Sequence, residues 1–443
     1  MKILKSISVT GRFFTALASL VLIYAGGFFL KPLVLVTDVI CCMFVIICII
    51  EIYLLYTQDK ILELSRSAEE KLSNGGLNTI RIRVKSFYRF PLMLEIIDEL
   101  PEQLQIRDFK LGLKIFPGED RLLNYTVRPL KRGQYFFGNI NVKCSVFSGL
   151  ISRRIVAELP QMYPVYPSVK EMKKFGFYAS SNRLENIGMK KIYRTGYSYE
   201  FEQIRRFANG DDIRKINWKA TSKSGFPMIN TFKEEKSQDI YSIIDMGRAM
   251  QMPFGGMTLL DYAVNSCLAL SGTAVSRNDN SGLITFAEKI YSFLPAQKNS
   301  RVMNRILETL YSINTSFREP DYEKLFFHIE RYILKRSLLI FFSNFETLYS
   351  LDRNIRYLRL LAKKHHVVVV IFRNSEVASY TVSYSGNVKD IYVKTMAEKY
   401  LHEKEMIAGR ISGNNMQAVL TDPVELTPHI INKYIEIKMR GLM

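Results

Sequence analysis

Catalytic signatures are what this sequence has least of. It holds no GxxxxGK[ST] phosphate loop, no HExxH pair and no GxSxG elbow, which excludes the commonest phosphate-binding, zinc-protease and serine-hydrolase arrangements. Histidine is scarce, at five residues, and only His365 and His366 are adjacent. They stand just before the apolar run VVVVIF, where an element boundary explains them better than a metal-ligand pair does. Of the five cysteines, Cys41, Cys42 and Cys48 fall inside an apolar run, and Cys144 and Cys267 stand alone. That is neither a disulfide framework nor a zinc pattern; it suits small buried hydrophobes in a reducing compartment. Acidic residues are also in deficit, at 42 against 61 Lys and Arg, for a net charge of +19. The excess is scattered, and no zinc-finger, basic-zipper or RNA-recognition signature accompanies it. The expected acidic partner is therefore a lipid surface and not a nucleic acid.

Apolar residues are abundant but unevenly spread, concentrated in the first sixty of 443 positions. From Phe13 to Leu30 the chain carries no charge for eighteen residues, about the minimum that crosses a bilayer as a helix. After Lys31 and Pro32 a second apolar stretch runs to Tyr56, interrupted only by Asp38 and Glu51, which fall near the ends of a span of about twenty residues. Residues 1–58 are thus expected to form a transmembrane helical hairpin. Lys2, Lys5 and Arg12 precede it, Lys31 alone marks its connection, and Lys60, Arg66 and Lys71 follow it. Counting Lys and Arg places both ends, and with them the soluble part, on the cytoplasmic side of the cell membrane. A cleaved signal peptide ending near Ala25 is the competing expectation, although the second stretch would still anchor the product.

Residues 59–77 are expected to form a linker helix, from ILELSRSAEEKL to the turn signal Asn74, Gly75, Gly76. Residues 78–167 hold short alternating or β-branched runs separated by Gly, Pro, Asp and Asn, the spacing of a β-sandwich-like domain. A connector over 168–237 is dense in mixed charge, and within it Arg205, Arg206, Asp211, Asp212 and Arg214 lie near the single tryptophan, Trp218. Two uses fit that composition: a structural clasp of ion pairs around a Trp anchor, or a partner-docking surface. Over 238–443 apolar strands (239–245, 282–287, 337–344, 367–372) alternate with helix-period stretches (259–275, 301–313, 322–334, 353–364). That pattern predicts a doubly wound α/β domain, whose ligands bind beyond the carboxyl ends of the strands. The residues to inspect are Asp245 to Ala249 and Ser343 to Glu346.

The stretch DMGRAM, from Asp245, resembles the von Willebrand factor A motif Asp-x-Ser-x-Ser, which in that family helps form a magnesium-dependent adhesion site. Asp245 matches, but Gly247 and Ala249 replace both serines, and Asn344 stands where the family offers an Asp. Magnesium requires close oxygen ligands that Gly and Ala do not supply, so a turn- or helix-capping role for Asp245 is preferred to metal binding, and no cofactor is expected. More widely, the segments Tyr125 to Leu150, Gly196 to Gly225 and Ile430 to Met443 resemble domain-of-unknown-function family fifty-eight. These are bacterial membrane proteins with two N-terminal spans, a β-rich region and a degenerate von Willebrand A-like domain, commonly associated with MoxR-type AAA+ ATPases.

The resemblance implies a membrane-anchored α+β multidomain protein acting as a non-catalytic adaptor or scaffold for such an ATPase, in protein maturation, complex assembly or cell-envelope processes. It carries over no catalytic residue. The alternatives are a metal-dependent ligand-binding module and an enzyme of unrecognised type.

Overall fold

The computed structural model describes residues 6–26, 31–57, 62–146, 148–168, 200–208, 211, 213, 216–233, 237–382 and 387–440. It divides into two compact units, Met1–Tyr166 and Pro167–Met443.

In the first unit, strand β1 (Ile7–Val9) precedes helices α1 (Gly11–Gly26) and α2 (Lys31–Tyr56). Residues 34–56 of α2 are long and apolar enough to cross a membrane, and their side chains are mostly exposed, Leu35 and Tyr53 among them. Helix α1 is apolar but shorter, and the last part of its expected span, 27–30, lies outside the described residues. The two helices touch through the rings of Phe13 and Phe44, 5.2 Å apart.

Ten strands complete the unit: β2 (Leu62–Ser67), β3 (Leu72–Ser73), β4 (Asn78–Ser86), β5 (Leu92–Asp98), β6 (Leu111–Ile115), β7 (Asp120–Val127), β8 (Gly133–Phe137), β9 (Ile140–Ser145), β10 (Ile151–Ala157) and β11 (Gln161–Tyr166). They form sheets ordered β1-β10-β9-β5-β6, β2-β4-β7 and β3-β11-β8. Alternation along β4 buries Ile80, Ile82 and Val84 in one core with Leu92, Leu94 and Ile96 of β5 and Val142 and Cys144 of β9. Burial pushes the Cys144 thiol up to about 12, as suits a packing residue.

Where a linker helix is expected over 59–77, Leu62–Ser67 and Leu72–Ser73 are instead strands, and 59–61 lie outside the described residues. LELSRS alternates, and the inward Arg66 forms a bidentate pair with Asp98, both side chains fully buried. Arg66 also donates to the Leu159 and Gly138 carbonyls at 2.9 and 3.0 Å. A helix would turn this guanidinium away from every one of those acceptors. The sheet pairing therefore overrides a helical pattern that only local spacing supported.

The second unit opens with the antiparallel pair β12 (Glu200–Arg206) and β13 (Met228–Lys233), with helix α3 (Trp218–Ser224) between them in sequence. Its main sheet is built from β14 (Asp239–Asp245), β17 (Asn280–Phe286), β18 (Ile290–Gln297), β19 (Leu338–Phe342), β20 (His366–Phe372) and β21 (Gln417–Thr421), with a small hairpin, β15 (Pro253–Phe254) and β16 (Met257–Thr258), outside it. The order is β18-β17-β14-β19-β20-β21, parallel except for the edge strand β18.

Helices α4 (Leu259–Ser276), α5 (Ser300–Ser312) and α10 (Leu426–Met439) pack one face through residues such as Val264, Ile306 and Ile430. Helices α6 (Tyr322–Tyr332), α7 (Leu348–Lys364) and α9 (Val388–Ser412) cover the other through Leu325, Leu358 and Ile407; the short α8 (Ser375–Val382) follows β20. Both faces are covered, which is why the strands read as near-continuous apolar runs.

Candidate functional site

Within the main sheet the next strand in sequence after β14 is β17, on one side of it, whereas its other neighbour, β19, begins the run toward β20 and β21. The crevice beyond the carboxyl ends of β14 and β19 is therefore the switch point at which open α/β sheets place ligands. Asp245 ends β14, and Ser343 and Asn344 follow β19. A cleft of about 100 Å³ opens there, with Asp245, Arg248, Arg318, Tyr322, Asn344 and Arg353 among its lining residues.

The polar side chains at the two strand ends are engaged with one another or with backbone. Asp245 Oδ1 accepts from the Gly247 N–H at 2.7 Å, and Oδ2 accepts from Ser343 Oγ at 2.7 Å. Since Ser343 spends its proton on Asp245, the Tyr322 hydroxyl, 2.7 Å away, donates to Ser343. Burial pushes the Asp245 carboxyl up to about 6 against the pull of these two donors. Burial likewise holds the Tyr322 phenol well above its ordinary value, so it remains a donor.

The neighbouring Asn344 is tied from both ends. Its amide N–H donates to the Ala249 carbonyl at 3.1 Å, and its Oδ1 accepts from Lys404 Nζ at 2.8 Å. Lys404, from α9, is fully buried and also donates to the Phe345 carbonyl at 2.5 Å; burial lowers its ammonium to about 8.

This arrangement does not fit a magnesium ion. A Cβ at Gly247 would lie 2.9 Å from Asp245 Oδ1, 2.9 Å from Pro320 Cδ and 3.0 Å from the Arg318 carbonyl, so the loop before α6 fills the space a serine there would need. The same loop is pinned to the strand end by Arg248 N–H to Arg318 O at 3.1 Å and Ser316 N–H to Met246 O at 2.9 Å. Asn344 turns its oxygen to an ammonium. A near-octahedral oxygen shell would have to break these bonds first.

Ser343 is not placed as a nucleophile, since it is buried and its oxygen accepts from Tyr322, and none of the five histidines lines the cleft. Its rim carries both signs, with Glu319 and the exposed Glu346 beside Arg248, Arg318 and Arg353. Arg353 pairs with Glu319 at 2.5 Å and Arg318 with Glu288 at 3.5 Å, while Arg248 is exposed.

Arg205 and Asp211 of the connector meet in a bidentate pair at 2.8 and 2.6 Å, and Asp211 also accepts from the Ala208 N–H. The Arg205 side chain bonded to it holds the Asp211 carboxyl below its usual range. The Arg206 guanidinium lies 4.4 Å from the centre of the Phe226 ring. Asp212 and Arg214 lie outside the described residues. Trp218 opens α3 after the N-cap Asn217 and is 71% exposed, so the ion pair does not close around a buried tryptophan.

Residues 203–381 match the family described as Protein of unknown function DUF58. That region takes in the Arg205–Asp211 pair, Trp218 and both strand ends of the cleft. The chain is also 24% identical over 183 residues to Uncharacterized protein YeaD of Bacillus subtilis (strain 168), an alignment covering 40% of this chain and 45% of YeaD; the chain thus spans less than half the length of this curated relative. Among solved structures, the CARDB domain of the PF1109 protein from Pyrococcus furiosus aligns with a TM-score of 0.17 at 12% identity, covering 24% of this chain and 91% of that one. The ASH / PapD-like domain of human CEP192 aligns at 0.18 and 8%, covering 24% and 86%. Superpositions at that level carry no argument about this chain.

Within the DUF58-matching region, Asp245, Ser343 and Asn344 are positions that strand-end reasoning finds. Tyr322 escapes it, because a tyrosine opening a helix carries no signal of its own. Lys404 lies beyond the matched region and escapes for a different reason: a lysine in a charged helix reads as solvated.

Proposed function

We propose that this chain is a membrane-anchored, non-catalytic adaptor. In this reading the doubly wound unit is a von Willebrand A-like domain that has exchanged its metal site for internal hydrogen bonds, and its partner is a MoxR-type AAA+ ATPase. The observation that carries the proposal is the self-satisfied strand end. Asp245, Ser343, Tyr322, Asn344 and Lys404 bond to one another and to backbone, leaving Arg248, Arg318 and Arg353, with Glu319 and Glu346 beside them, at the rim for a partner to touch. The match of residues 203–381 to DUF58 supports the family part of this reading. The apolar surface of residues 34–56 supports the anchor, with α1 as the first arm of a hairpin whose two ends lie in the cytoplasm.

Affinity purification of the full chain from membranes, with and without ATP, tests the partnership. Recovery of an AAA+ ATPase that depends on nucleotide and weakens in Arg248→Ala is expected; a lone protein or an unrelated enzyme complex would overturn it. Protease treatment of intact spheroplasts tests the topology: the soluble part should survive, and digestion from outside would reverse the assignment.

A further inference from the structure

The opposite end of the main sheet holds a second cavity, larger than the cleft and different in charge. It measures about 260 Å³ and opens where α7 gives way to β20, with the turn between α9 and β21 forming its far side. Its lining includes Arg336, Lys363, Lys364, His365, His366 and Gln417, and no carboxylate. Lysines in the last turn of a helix are ordinary complements to its dipole, and they alone would indicate nothing.

Two buried groups indicate more. His365 is 4% exposed and its backbone N–H caps α7 on the Leu361 carbonyl at 2.9 Å, yet neither ring nitrogen meets a protein partner. Gln417 Oε1, on the far side, is likewise buried without a donor, and half a turn of its amide would present the NH2 group instead. No protein group among the described residues satisfies these atoms, so their partners must come from whatever fills the cavity.

Charge decides what would satisfy it. Arg336 Nη2 donates to His366 Nε2 at 2.8 Å, which leaves the neutral imidazole its proton on Nδ1. Lys364 is paired with Glu330 of α6, outside the lining, whereas Lys363 and Arg336 are exposed and no ion pair to an acid is found for either among the described residues. We propose that this cavity binds a phosphate-class anion, with Arg336 and Lys363 supplying charge and His365 a ring N–H. A volume just below the range of drug-sized pockets suits inorganic phosphate or the phosphate head of a larger molecule.

Burial holds both imidazoles below their usual range, helped by Arg336 at His366 and Lys364 at His365, with Glu330 opposing at His365. A bound anion reverses that balance at His365, whose ring nitrogens have no protein partner, and favours its protonation, whereas His366 Nε2 is held as an acceptor by Arg336. Binding of an anion whose own charge does not change therefore strengthens as pH falls.

Calorimetric titration of the detergent-solubilised full chain with inorganic phosphate, and separately with dioctanoyl phosphatidic acid, tests the site. Saturable binding of phosphate is expected; equal affinity for both probes identifies the bare group as what is recognised, and much tighter binding of the lipid identifies a headgroup. Arg336→Gln should weaken binding about tenfold, the worth of one charge-assisted contact, and Lys363→Gln by less. Both positions are exposed, so neither variant threatens the fold as His365→Gln does. Sulfate, whose charge is constant between pH 6 and 8, should bind about threefold more tightly at the lower value. No saturable binding of either probe, or affinities unchanged in both variants, would overturn the proposal. These outcomes are independent of the adaptor reading, which concerns the other end of the sheet.

Discussion

Asp245 combines burial with two donors, and the burial wins: its carboxyl titrates near 6, above an ordinary unfolded value of about 3.9. The native state then holds its proton to higher pH than the unfolded chain. The sign follows directly: this contribution to stability is complete below about pH 4 and is lost as pH rises through about 6. The loss is on the order of 3 kcal/mol. Asp245→Asn should abolish it, because an amide of the same shape keeps the Gly247 bond and does not ionise. Thermal midpoints of the two chains should diverge in the variant's favour between about pH 4.5 and 7.5, and parallel curves would show that Asp245 does not titrate in this window.

Gly247 is the other residue on which this end of the sheet depends. Placing at position 247 the serine of the adhesion motif that DMGRAM resembles forces a Cβ against Asp245, Pro320 and the Arg318 carbonyl. Gly247→Ser is therefore expected to destabilise by about 1–3 kcal/mol, the usual cost of overpacking. It should also fail to confer magnesium binding; a saturable magnesium heat in the variant would contradict the fit argument.

At the scale of elements, α2 is both an apolar rod and a structural part of the β-sheet unit. Glu51 is buried and accepts from Ser148 Oγ at 2.7 Å, the Gly149 N–H at 3.1 Å and the Ile151 N–H at 2.9 Å. One turn later the Leu55 carbonyl, an orphan at the helix end, is capped by Tyr88 at 2.8 Å and Arg153 at 2.6 Å. Sequence alone placed Glu51 at a membrane interface, which fits a carboxylate near the end of an apolar span but cannot reveal that a β-turn supplies its donors. Glu51→Ala removes the acceptor of the Ile151 N–H, whereas the Gly149 N–H keeps the Val146 carbonyl at 2.7 Å, and should cost about 1–3 kcal/mol, read as a lowered thermal midpoint in detergent. Glu51→Gln, which retains an acceptor oxygen, should cost clearly less.

Elements buried on both sides were the most legible. The runs DIYSIID and VVVVIF coincide with β14 and β20 because a strand covered by helices on both faces has nowhere to put polar side chains. The edge strand β18 was not predicted: it is half exposed and carries Pro295. Helix α9 was missed as well, since few of its side chains are buried and one of those is Lys404.

For the whole molecule, the unpaired surface of residues 34–56 sets the expectation. With Leu35, Ile46 and Ile49 exposed, α2 presents an apolar face long enough to cross a membrane. The full chain should stay with the membrane pellet through alkaline carbonate extraction. Replacing Val39, Met43 and Ile46 with charged residues should release it, and release of the native chain would remove the anchor.

Composition and periodicity by themselves determined the apolar N-terminal segment, the β-rich region and the alternation of buried strands with helices. Each follows from where apolar side chains must go, and that is written locally. Only tertiary structure decided that 62–67 is strand, because Arg66 needs Asp98, thirty-two residues away. Only tertiary structure, too, boxed Gly247 beneath the Arg318–Pro320 loop and sank Lys404 against Asn344. Those contacts join distant segments whose separate sequences give no sign of one another, and a polar group's partner is set by the fold that brings the two together.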